Sequence, residues 1–77
     1  MSVEYDKDAD VLYVRLGTKP VACTRNLGDG RIADFAEDGT VVGVEFIAVS
    51  EGLDLADIPA EHEVRRALEG HDFRVLA

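Results

Sequence analysis

Cationic side chains are scarce in this sequence. Eight Lys and Arg residues stand against sixteen Asp and Glu, so the 77-residue chain carries a formal charge of −8. The deficit is not local: residues 1–49 hold five basic and nine acidic groups, and residues 50–77 hold three and seven. No basic stripe is available to neutralise a phosphate backbone, which excludes direct nucleic-acid binding by the chain alone. Cysteine is nearly absent as well. Cys23 is the single copy, so no internal disulfide can form, as suits a reducing, cytoplasmic setting. No apolar run approaches the roughly 20 residues of a membrane-spanning helix. The acidic N-terminal stretch does not read as a secretory signal.

What is present is an ordinary globular composition, 47% apolar and 31% charged. The length allows one domain over residues 1–77, with a β-rich part at 1–49 and a loop, helix and C-terminal segment at 50–77. A domain of this size buries only about 60% of its unfolded surface, so a partner chain is expected to complete its core.

Short β-rich runs separated by turn residues fill the first part. Strands are predicted at 2–5, 11–16, 21–27, 31–36 and 40–49. Val11-Leu12-Tyr13-Val14-Arg15-Leu16 is the clearest of them, being β-branched and aromatic. Glu37-Asp38-Gly39 separates the last two. Asp-Gly between β-rich runs favours a tight hairpin, because both residues tolerate positive φ. A two-residue turn pairs Ala33 with Val44, Arg31 with Phe46 and Ile32 with Glu45. A bulge at Gly39 would move that register by one, and the sequence leaves the choice open. Val42, Val44, Phe46 and Ala48 line one face of the fifth strand; Val41, Ile47 and Val49 line the other. Apolar groups on both faces mark a central strand covered from two sides.

A helix is predicted at 59–69. Pro59 suits its first turn, Glu61 and Glu63 its positive end, and Gly70 its exit. Ala60, Val64, Ala67 and Leu68 form its apolar stripe. Phe73-Arg74-Val75-Leu76 has the composition of a short final strand. The expected fold is α+β: an antiparallel meander of about five strands with the C-terminal helix on one face.

Few residues carry the pattern of a chemical site. Asp6, Asp8 and Asp10 have the alternate spacing that opens a calcium loop, but Val11 and Gly17 stand where that loop needs its glycine and bidentate glutamate. His62 and His71 are nine apart, a poor spacing for one metal. Cys23 has no CxxC partner and reads as a small packed residue. No phosphate loop or nucleophile elbow is present. Asp34 and Glu45 stand out, because the hairpin register makes them diagonal neighbours on one sheet face. Two close carboxylates need a shared proton, a cation, or arginines such as Arg15, Arg25 or Arg31. They are the candidate binding residues; no catalytic residue, metal site or cofactor is expected.

One helix can cover only one sheet face. The second, with Ile32, Val41, Ile47 and Val49, is the expected interface of a homodimer, unless residues 50–58 fold over it through Leu53, Leu55 and Ile58. The acidic charge also suits a basic protein partner.

Three stretches carry a resemblance: Tyr5-Asp6 with Ala9-Asp10 and Leu12-Tyr13-Val14; Asp29-Gly30 with Ile32 and Asp34; and Asp38-Gly39 with Val41-Val42-Gly43-Val44-Glu45. Together they resemble domain of unknown function 2283, a family of small prokaryotic proteins. The resemblance spans residues 3 to about 49. It implies a compact antiparallel sheet with a helix and no catalytic residues. Some relatives are similar to the smaller partners of two-gene, toxin–antitoxin-like cassettes, which implies an antitoxin-like role. The overall expectation is a non-catalytic interaction module, with a small-ligand or metal-binding domain built on Asp34 and Glu45 as the alternative.

Overall fold

The computed structural model describes residues 1–76. Five strands, β1 (Ser2–Asp6), β2 (Val11–Arg15), β3 (Cys23–Gly28), β4 (Arg31–Phe35) and β5 (Val41–Ile47), form one antiparallel sheet, followed by a short 3₁₀ turn at Val49–Glu51 and one helix, α1 (Glu61–Leu68). The strand order is β1-β2-β5-β4-β3. This is not the sequential meander expected. The chain leaves β2, crosses to the far edge to begin β3, and returns through β4 so that β5 lies against β2, a Greek-key-like order. Burial explains it. A strict meander would leave β5 at an edge, yet Val42, Gly43, Val44 and Phe46 are all buried. Polar β3, exposed along nearly its whole length, takes the edge.

The β4–β5 hairpin combines both registers that the sequence left open. Gly39, at φ 89°, closes a three-residue loop in which the Ala36 N–H donates to the Thr40 carbonyl at 2.8 Å. Phe35 then pairs with Val41, one position off the two-residue register. An irregularity follows between Asp34 and Phe35, and from there Asp34 pairs with Gly43, Ala33 with Val44, Ile32 with Glu45 and Arg31 with Phe46. A bulge of this kind admits one extra residue and restores the expected register for the rest of the ladder.

The same irregularity alters the two faces. Val41 packs against the main core and does not lie on the opposite face as expected. At the other end, Ala48 adopts a left-handed conformation (φ 59°, ψ 50°) that stops the strand. The turn swings Val49 inward, where it is only 6% exposed. Val49, expected at an interface, is therefore a core residue.

The segment after β5 and the helix cover the same side of the sheet. Leu53, Leu55 and Ile58 join Val64 and Leu68 of α1 in the cluster that contains Leu12, Val14, Ala33, Val44 and Phe46. Residues 50–58 thus share the helix's face and do not fold over the second one. Each large aliphatic group so buried is worth about 1.5–3 kcal/mol. The helix is shorter than its sequence pattern. Ala60 is left-handed at φ 57°, so Pro59 and Ala60 lie before the first turn. Gly70, at φ 82°, provides the expected exit. Among the described residues the expected final strand is reduced to a single parallel bridge between Val75 and Leu53, whose N–H donates to the Arg74 carbonyl at 2.8 Å.

Two polar devices fasten this cover. Arg31 is buried on the core side of β4, donating to the carbonyls of Gly28 at 3.1 Å and Asp54 at 3.3 Å, and also to that of Ala56. Asp10 accepts from the Ser50 N–H at 3.0 Å and from its hydroxyl at 2.7 Å. Those Ser50 bonds hold the Asp10 carboxyl below the usual carboxylate range. No described helix is long and apolar enough to cross a membrane.

Candidate functional site

Because side chains alternate across a strand, the residues between the core positions project from the other face. The register places Glu4 of β1, Tyr13 and Arg15 of β2, Glu45 and Ile47 of β5, Ile32 and Asp34 of β4 and Thr24 of β3 there together. The buried residues of the 50–58 segment and of α1 belong to the core cluster on the opposite side, and Ile47 is 45% exposed.

A hydrogen-bonded network crosses it. The Tyr13 hydroxyl donates to Asp34 Oδ2 at 2.9 Å, and the Thr24 hydroxyl donates to Asp34 Oδ1 at 2.7 Å. Tyr13 belongs to β2 and Asp34 to β4, so the phenol must span the strand between them. Gly43 makes this possible: a Cβ there would lie 2.1 Å from the Tyr13 hydroxyl oxygen. Glycine serves here through close approach, not through an unusual backbone angle. Partial burial, then the bond to Asp34 and its negative charge, push the Tyr13 phenol up to about 12. A phenol so high is a poor proton donor or acceptor near neutrality.

Asp34 and Glu45 are the expected diagonal neighbours on one face. None of the arginines proposed to neutralise them does so. Arg31 is committed to backbone carbonyls on the core side. Arg25 lies over the Phe35 ring at 5.2 Å. Arg15 lies over the Tyr13 ring at 5.2 Å and approaches Glu4 at 3.9 Å. Sequence reasoning missed Tyr13, Thr24 and Gly43 as members of the site. The signal for Tyr13 and Gly43 is the β2–β5 pairing, which a meander lacks; for Thr24 it is the β3–β4 pairing, which sets it opposite Asp34.

The remaining candidates disperse. Asp6 accepts from the Ala9 N–H at 3.1 Å inside the first turn, and Asp10 fastens Ser50. No group of three or more His, Cys, Asp or Glu able to hold a metal occurs among the described residues. His71 stacks on Phe73 with ring centroids 6.0 Å apart, and His62 is exposed. Cys23 is exposed on the edge strand, not packed as expected.

The matched sequence pattern thus divides in two. Tyr5, Asp6, Asp10 and Asp38 stabilise turns, whereas Tyr13, Asp34, Gly43 and Glu45 meet on the open face. Residues 2–50 match the model of a family described as proteins of unknown function, DUF2283. The chain belongs to this family. No curated protein and no solved structure matches it. In this DUF2283 protein the matched segment contains the whole sheet, while Leu53, Leu55, Ile58 and α1 lie beyond it.

Proposed function

We propose that this DUF2283 protein is a non-catalytic interaction module that works through the open face of its sheet. The observation that carries this reading is the one-sided cover. Both the 50–58 segment and α1 pack on one face, leaving Ile47, Ile32 and Tyr13 on the other beside unneutralised Asp34 and Glu45. An uncovered face mixing aliphatic, aromatic and charged groups suits a protein partner better than a small substrate, for which convergent walls are needed. That partner is a second copy docked through Ile32 and Ile47, or a protein of basic surface. An antitoxin-like role in a two-gene cassette is one setting for such a module.

A metal-binding role for Asp34 and Glu45 is less well supported, because both Asp34 oxygens already accept hydroxyl hydrogen bonds. Catalysis is disfavoured by the high Tyr13 phenol and by the lack of a nearby histidine.

Sedimentation of the pure protein, and calorimetry against the protein encoded beside it, test the reading. Association is expected in one of the two, lost in Ile47→Asp and unaffected by Glu63→Lys on the exposed side of α1. Association that ignores Ile47→Asp, or none in either experiment, defeats it.

A further inference from the structure

We infer that the open face receives a protein surface that sets an arginine side chain, flanked by aliphatic groups, on Glu45 and Asp34; this rests on the interaction reading above and names its partner. Glu45 is half-buried on the central strand, paired across to Tyr13 on one side and Ile32 on the other. Among the described residues no hydrogen bond or ion pair reaches its carboxylate. Asp34, its diagonal neighbour, is held by two neutral hydroxyls and by no cation. The middle of the sheet therefore carries two carboxylates bordered by aliphatic groups, and among the described residues no ion pair reaches either; Arg15, diagonal to Glu45, approaches Glu4. Half-buried charges of one sign gain most from a partner that brings the opposite sign and excludes water.

The geometry favours guanidinium over other cations. Its planar, weakly hydrated fork bonds carboxylates in pairs and stacks on aromatic rings. The Tyr13 ring already accepts one such group, Arg15, at 5.2 Å. A divalent metal would find too few free oxygens. A second copy is disfavoured too. A two-fold axis through this face would oppose Glu4, Asp34 and Glu45 to the same three residues, with Arg15 as the one basic group of that set to offset them.

The test uses the isotopically labelled full chain and a synthetic peptide alternating arginine with isoleucine and valine; its citrulline counterpart keeps the shape but lacks the charge. Amide shifts are expected at Tyr13, Ile32, Glu45 and Ile47 and not around Val64 or Leu68. Binding should weaken about tenfold in Glu45→Gln, with the citrulline peptide and at high salt. No shift at millimolar peptide, shifts spread over Glu61, Glu63 and Asp72 with Glu45→Gln silent, or the same shifts from calcium or magnesium alone would each overturn the inference. Sedimentation separates the two levels. A dimer that Ile47→Asp dissolves removes the basic partner but leaves the open-face reading standing. A monomer that binds neither the peptide nor its encoded neighbour removes both.

Discussion

On one side of β5, Val44 and Phe46 lie under Leu53, Leu55, Ile58, Val64 and Leu68. On the other, Glu45 is half-buried and Ile47 is exposed. The covered face is largely apolar and closed by segments beyond the family match; the open face lies within the match and carries a hydroxyl–carboxylate network. One face provides the cohesion a short chain needs; the other carries the surface on which the proposed interaction rests.

The contrast can be broken first at its stable side. Leu53→Ala removes a fully buried side chain joining the 50–58 segment to the sheet and should cost about 2–5 kcal/mol in urea unfolding. Gly43→Ala attacks the open face from beneath. Its Cβ would collide with the Tyr13 hydroxyl, and expelling the ring should cost about 1–3 kcal/mol. In the same variant the Tyr13 phenol should titrate back toward its ordinary value, which ultraviolet absorbance follows directly.

Tyr13→Phe is gentler, removing one hydrogen bond at a cost of about 1 kcal/mol. Its effect should depend on pH. The folded-state phenol is raised to about 12, above the unfolded value of about 10. The stabilisation is thus fully present below about pH 10 and lost as pH rises through the folded value. Wild type and Tyr13→Phe should converge in stability in strong alkali; a gap that persists there would dissociate the hydrogen bond from the stabilisation. Ile47→Asp should have the smallest effect on the isolated fold, within about 0.5 kcal/mol, as expected of an exposed residue. A large loss in thermal melts would show that Ile47 supports the core and would erase the distinction between the faces.

Much of the architecture was legible because local signals sufficed. The alternation in β2 and β5, the Asp38-Gly39 turn, the α1 stripe and the Gly70 exit all depend on residues a few positions apart. The strand order did not yield to such reasoning, because pairing Tyr13 with Glu45 depends on residues far apart in the chain. The run of apolar residues along β5 is the sequence signal that disfavours an edge position for it. The assignments of Val41 and Val49 failed at backbone irregularities: the break in register near Phe35 and the left-handed Ala48 each interrupt strict alternation. Asp34 and Glu45 were found because their spacing is set by one hairpin. Tyr13 and Thr24 arrive from two other strands.

The placement of β5 between β4 and β2 also shapes how the chain reaches its native state. The β1–β2 hairpin and the β3–β4–β5 run can each form from contacts between near neighbours in sequence. Joining them requires β2 to find β5 across the whole intervening chain, from Leu12 to Phe46 and from Val14 to Val44. Loop closure of that length is paid before the central contacts reward it, and such non-local pairing slows folding. The seam between β2 and β5, spanned by Tyr13 on its open side, thus joins two locally connected halves through the pairing most distant in sequence.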